Sequence, residues 1–253
     1  CTRCFQLLEK PLYTALIVNR CCLGAFHMTF SLQTFGQLQL LDSQDEAVSF
    51  PEKGLLILAY LLTSPEGSAH RTTMAQFLWG DENREVSLVN LRSTISRIKS
   101  RQEELGADFL SFTGSTISLG KTTVACDLLS LHKTDSEDPL TWLGRLVALF
   151  NRTFLAAVNC QSREYDVWLI QRKIYHSALL KGLLKETSNS ARTPKEEEII
   201  KNAAILIFHT EPENPDTLKF LVQIFNAEEE VEYFRKHLEQ RKQSLSRGLS
   251  YLG

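Results

Sequence analysis

The sequence predicts two domains of different class, an α+β domain followed by an all-α domain. Between Thr29 and Phe50 apolar residues come in short bursts broken by turn residues, whereas beyond Leu140 the apolar patterns have helical spacing. A polar stretch between the two, Lys133 to Pro139, has the composition of a linker. With 253 residues, 43% of them hydrophobic and 23% charged, the chain can fill two cores of ordinary size.

The bursts Phe30, Leu32, Phe35, then Leu38, Leu40, Leu41, then Val48, Phe50, separated by Gly36 and the polar run Asp42 to Glu46, read as two or three short strands. Pro51 suits the first turn of a helix, and GLLILAYLLTS after it is apolar on most sides, which predicts a buried helix ending at Ser64-Pro65-Glu66-Gly67. A second, short helix is expected from about Thr72 to Trp79. Leu88, Leu91, Ile95, Ile98 and Leu105 then recur at steps of three and four, so a long helix from Glu85 to Leu105 turns one stripe to a core, with Gly106 as its C-cap. Leu110, Phe112, Ile117 and Leu119 alternate around Thr113-Gly114-Ser115-Thr116, the pattern of a β-hairpin, and a β-branched stretch from Lys121 to Val124 leads to Asp127.

Beyond the linker, helices are expected over Leu140 to Phe154, Tyr165 to Thr187, Pro194 to His209, Pro215 to Phe225, and Glu228 to the end. Repeated helix pairs joined by short polar loops suggest a helical-repeat, TPR-like architecture. The expected organisation is a non-domain N-terminal segment over 1–27, a first domain over 28–133, a linker over 134–139 and a helical domain over 140–253. Met28 stands just before the first strand pattern, so residues 1–27 are expected to be upstream sequence or a cloning remnant.

Lys and Arg number 28 against 30 Asp and Glu, a net charge of -2 that excludes a protein basic all over. Any contact with nucleic acid must come from a local patch. Cys1, Cys4, Cys21 and Cys22 crowd the beginning and only Cys126 and Cys160 follow, which is no disulfide framework and fits a reducing, cytoplasmic compartment. Cys1, Cys4, Cys21, Cys22 and His27 are too irregularly spaced for a zinc knuckle, so no metal is expected. LYTALIVNRCCLGAF, broken by Asn19 and Arg20, is too short to span a bilayer, and no membrane partner is expected. GSTISLGKTT imitates a phosphate-binding loop, but Gly114 to Gly120 encloses five residues where four are needed and a strand pattern follows. With no HExxH and no GxSxG, no catalytic residue or cofactor is nominated, and the chain is not expected to be an enzyme.

The long helix carries the chemistry. With Leu91, Ile95 and Ile98 turned inward, its outer face presents Val89, Asn90, Ser93, Ser96, Arg97 and Ser100, flanked by Arg92, Lys99 and Arg101. Small hydroxyl side chains let a helix approach the floor of a major groove, Asn and Arg read base edges, and flanking cations hold phosphates. An ordinary solvated helix face is the alternative reading of these cations. Strands, a buried helix, a short helix, a long helix and a hairpin follow one another in the order of a winged helix-turn-helix.

On these residues the chain resembles a known family. LQTFGQLQLLD, the helical stretch PEKGLLILAYLLTSPEGSAHRTTMAQFLWGDEN, VNLRSTISRIKSRQEELG, and the hairpin before Val124-Ala125-Cys126-Asp127 resemble the SARP-type antibiotic regulatory proteins. Leu78-Trp79 and Asn90-Leu91-Arg92 carry the likeness most specifically. LGRLVALFNRTFLAA, Trp168, Arg172 and HTEPENPDTLKFLVQIF extend it to the bacterial transcriptional activator domain of that family. The resemblance implies base or phosphate contact from Asn90, Arg92, Ser93, Ser96, Arg97 and Ser100, phosphate contact from Lys53, and a wing. The wing tip here carries no Arg, and only Lys121 lies near it.

The expected function is therefore that of a cytoplasmic, nucleoid-associated transcription regulator, an activator that binds promoter DNA. Its helical domain would serve self-association as a homodimer or contact with RNA polymerase. Trp168, with Arg172 and Tyr175 on the same side of its helix, is read as packing between helices in preference to a partner site. The competing reading is a helical-repeat interaction scaffold whose winged helix does not bind DNA.

Overall fold

A computed structural model describes residues 30–80, 83–133, 137–188, 193–211 and 214–224, with 232 and 236. The expected N-terminal segment, its cysteines and the helix expected from Glu228 onward lie outside these residues. The chain divides into two compact units, Cys1–Leu129 with Phe154–Asp166, and Ser130–Thr153 with Val167–Gly253. The first is α+β and the second is helical.

The first unit begins with β1 (Phe30–Gln33), β2 (Gln39–Leu41) and β3 (Ala47–Val48), followed by α1 (Glu52–Thr63). Leu32 lies opposite Leu40, and with Phe30 these alternating apolar residues are buried. Pro51 precedes α1 as its N-cap residue, and Leu55 to Ala59 and Leu61 are all buried, as the all-round apolar pattern predicts. Then come β4 (Ser68–His70), α2 (Arg71–Trp79), α3 (Arg84–Leu105), the hairpin β5 (Leu110–Phe112) and β6 (Thr116–Leu119), and β7 (Val124–Cys126). The strands form two sheets, in the orders β3-β2-β1-β7 and β4-β6-β5.

Three features depart from the sequence pattern. The last strand is Val124–Cys126, parallel to β1, and the preceding 121–123 form a turn. Thr122 holds that turn by donating its N–H to the Asp108 carbonyl at 2.9 Å and accepting the Asp108 N–H on Oγ1 at 2.7 Å. Second, Ser68–His70 is a strand with no apolar alternation, formed because Ala69 pairs opposite Ile117 and His70 opposite Thr116. Third, the expected helix to Phe154 stops at Phe150. Leu155 and Ala157 take positive φ of 52° and 62°, which a helix does not permit. The Leu155 and Ala156 N–H groups instead donate to the Thr34 and Gly36 carbonyls at 2.8 and 2.9 Å.

Asp127 closes the first sheet. Its carboxylate accepts the Thr34 and Phe35 N–H groups at 2.7 and 2.8 Å and the Thr34 hydroxyl at 2.6 Å, all just past the end of β1. The ring of Phe109 stands edge-on to Phe30 and Phe50, at 5.0 and 5.7 Å between centroids.

The second unit contains α4 (Pro139–Phe150), most of α5 (Arg163–Thr187), α6 (Pro194–Thr210) and α7 (Pro215–Ile224). Asp138 caps α4 through its side chain, and Thr193 with Glu196 forms a capping box on α6. α4 packs on α6 and α6 on α7. Arg145 grips Glu137 with two hydrogen bonds of 3.0 and 2.6 Å and also donates to the Ser130 carbonyl, tying the linker to α4. Trp168 is buried, as expected. Among the described residues no helix is long and apolar enough to cross a membrane.

Candidate nucleic-acid interface

α3 is fixed at both ends by local chemistry. Asn83 caps its start, accepting the Val86 N–H on its side chain at 3.1 Å, and Gly106 ends it in the left-handed conformation, φ 61°. Leu91, Ile95 and Ile98 are buried with Ser87, Thr94 and Gln102, while Leu88 and Leu105 are half-buried. Gln102 works as a clasp: its side chain accepts the Leu110 N–H at 2.8 Å and donates to the Leu110 carbonyl at 3.1 Å, so β5 hydrogen-bonds to the helix as it would to a strand. α2 packs against α3. The orientation of α3 is therefore set by its core stripe, by α2 and by the hairpin together.

The inward stripe leaves a defined outer face. Taking about 100° of rotation per residue, Val89, Ser93, Ser96 and Ser100 fall within about 40° of one line. All four are exposed. Arg92 and Lys99 flank this floor on one side, and Asn90, Arg97 and Arg101 on the other. From Val86 to Gln102 the helix carries four cations and no carboxylate, so a chain with a net charge of -2 nonetheless concentrates positive charge along one edge of this unit.

The expected site residues do not all share that face. Arg92, Ser93, Ser96, Arg97, Lys99 and Ser100 are exposed on it, and Asn90 is half-buried beside it. The Arg97 guanidinium makes one contact of 3.4 Å with the Thr94 hydroxyl, a distance too long to hold it firmly. Lys99 lies 5.8 Å over the Phe112 ring, on the hairpin side. Arg101 is engaged in the fold, donating to the Ser49 carbonyl at 2.7 Å and pairing with Glu104 at 2.6 Å. Lys53 donates to the Asn159 carbonyl at 3.4 Å. Lys121 is exposed beyond the end of β6, at the opposite end of that strand from the tip, and borders a cleft of about 340 Å³ with Leu58, Leu62 and Glu66.

Next to the tip of the β5–β6 hairpin the fold assembles residues that the sequence did not single out. Because β4 pairs with β6, the start of α2 is carried to the tip, and the Arg71 N–H donates to the Ser115 carbonyl at 2.8 Å. There His70, Arg71 and Thr72 face Arg92 of α3 across a groove of about 240 Å³ that Gly114 and Ser115 close. The Arg71 Nε is buried and has no hydrogen-bond partner among the described residues. Two guanidinium groups, an imidazole and hydroxyls around a groove of this size suit an anionic oxygen cluster such as a phosphate. A tip without its own cation thus borders a groove that holds two guanidinium groups.

The remaining candidates carry no such arrangement. The GSTISLGKTT segment is the strand β6 and the turn after it, without a helix N-terminus to receive a phosphate. Among the described residues no group of His, Cys, Asp or Glu is placed to hold a metal ion. In the helical unit Arg172 lies 5.7 Å over the Tyr175 ring. No family model matches the chain, and no curated protein matches it significantly.

Proposed function

We propose that the first unit is a winged-helix DNA-binding domain and the chain a transcription regulator of the SARP type, with α3 lying in the major groove. The observation that carries this reading is the outer face of α3, a floor of three serines and Val89 between cationic borders free of carboxylates from Val86 to Gln102. Small side chains let the helix backbone approach base edges, while Asn90 offers the paired donor and acceptor that read adenine and Arg97 the two donors that read guanine. The groove formed by Arg71, His70 and Arg92 beside β5–β6 supplies the backbone contact that positions the helix. The helical unit then serves self-association or contact with RNA polymerase, the protein acts as an activator in the cytoplasm, and it needs neither cofactor nor catalytic residue. The tip Thr113–Thr116, which carries no cation, favours the second reading, a scaffold whose winged helix binds protein.

Selection of bound duplexes from a randomised library separates the two readings. Enrichment of a direct repeat supports the regulator, and no enrichment supports the scaffold. On an enriched duplex, Arg97→Ala is expected to weaken specific binding by about 1–3 kcal/mol in an anisotropy titration. Unchanged binding would remove Arg97 from the reading surface.

A further inference from the structure

Val86 and Val89 are exposed over 51% and 56% of their surface, and among the described residues they are the only large apolar side chains of the first unit so exposed. They stand three positions apart on α3, so both belong to its outer face, Val89 one turn and Val86 two turns before Ser93. Nothing in the fold accounts for them. A β-branched residue is a mediocre helix former, and an apolar side chain left in water gains no burial. Valines at these two positions cost the helix something unless a partner covers them.

We propose that Val86 and Val89 are the reading surface for thymine, each covering the C5-methyl group of a thymine in the major groove. This rests on the DNA-binding reading of α3 and adds the base it selects. The thymine methyl is the one apolar group that a base pair displays in that groove, and valine contacts it without demanding a hydrogen bond. Charge complementarity points to a nucleic acid as the occupant. Arg92 and Arg97 stand on either side of the valine and serine floor, with no carboxylate between Val86 and Gln102. A protein partner is the poorer fit, because serine and valine seldom anchor protein interfaces and no aromatic residue lies between Val86 and Gln102.

The test replaces each thymine of a duplex selected by the wild-type chain with deoxyuridine, which removes only the methyl group. One or two replacements are expected to weaken wild-type binding about three- to tenfold. That loss should vanish for Val86→Ala or Val89→Ala, whose helix content, checked by circular dichroism, stays at the wild-type level. Losses within twofold at every thymine, or losses undiminished in both variants, would overturn the assignment while leaving DNA binding intact. Failure of the wild-type chain to enrich any duplex would overturn the DNA-binding reading and this inference with it.

Discussion

Single side chains in the first unit replace what strands would otherwise supply. Asp127 terminates the first sheet with three hydrogen bonds to Thr34 and Phe35, and Thr34 is fully buried. Its loss would strand two backbone N–H groups, so Asp127→Ala is expected to cost about 2–4 kcal/mol by denaturant unfolding; a change within about 0.5 kcal/mol would mean that water replaces the carboxylate. Arg71 is the residue that sequence reading missed. Its partners at the groove, Arg92 and Ser115, are 21 and 44 positions away, and only the β4–β6 pairing brings them together. Arg71→Gln is expected to lower affinity for unrelated duplexes as much as for the selected one, and to reduce the slope of log K against log salt by about 0.9, one phosphate's share. A slope equal to wild type would show that no phosphate sits in the groove. The residues of α3 were legible because helical periodicity alone sorts Leu91, Ile95 and Ile98 from Ser93, Ser96 and Arg97.

At the scale of elements, the helices of the first unit, the strands β1 to β3 and the hairpin were readable, whereas β4 and the bounds of β7 were not. α1 and α3 announce themselves by Pro51 at the start of one and Gly106 at the end of the other, and by apolar spacing within them. β4 has no such signal: Ser68, Ala69 and His70 become a strand only by pairing across a long stretch of chain. β7 likewise takes its register from β1, with Val124 opposite Phe30. The turn between the hairpin and β7 depends on Gly120. A Cβ there would fall on the Asp108 carbonyl, far inside van der Waals contact with backbone that cannot move aside. Gly120→Ala is therefore expected to destabilise the first unit by roughly 2–4 kcal/mol, measured as a lower denaturation midpoint with an unchanged slope. Full stability would require the 120–123 turn to relax at no cost.

At the scale of the whole molecule, the groups among the described residues that make folding sensitive to acid lie in the helical unit. Burial lowers the His176 imidazole to about 3, helped by the positive charge of Arg172, and its ring stacks on Phe150 at 5.1 Å. Unfolded, the same group titrates near 6.5. Between those values the unfolded chain binds a proton that the folded chain refuses, so stability falls as pH drops, by at most about 1.4 kcal/mol per pH unit. Glu211 adds a second window. Burial would raise its carboxyl, but hydrogen bonds from Lys181, Ser177 and Thr217 outweigh that and hold it at about 2, against an ordinary value of 4.5. Its contribution is complete above that ordinary value and is lost as pH falls through the folded one. Thermal melts are expected to shift downward from about pH 6.5, and His176→Gln should lessen the loss between there and pH 4.5 without abolishing it, because burial also lowers the His132 imidazole from 6.5; wild-type melts flat over that range would contradict a neutral buried imidazole. The division into units was legible only in part, because the polar linker marks where the helices begin but not where the first unit ends. Residues 154–166 return to it: Leu155 and Ala156 bond to the Thr34 and Gly36 carbonyls, and the Ser162 hydroxyl donates to the Phe77 carbonyl at 2.5 Å. A ribosome that has released residue 133 has therefore not yet delivered a complete first unit. The stretch after β1 and the end of α2 wait for about 30 more residues, a delay of a few seconds at ordinary elongation rates. During it they are open to chaperones or to misplaced partners.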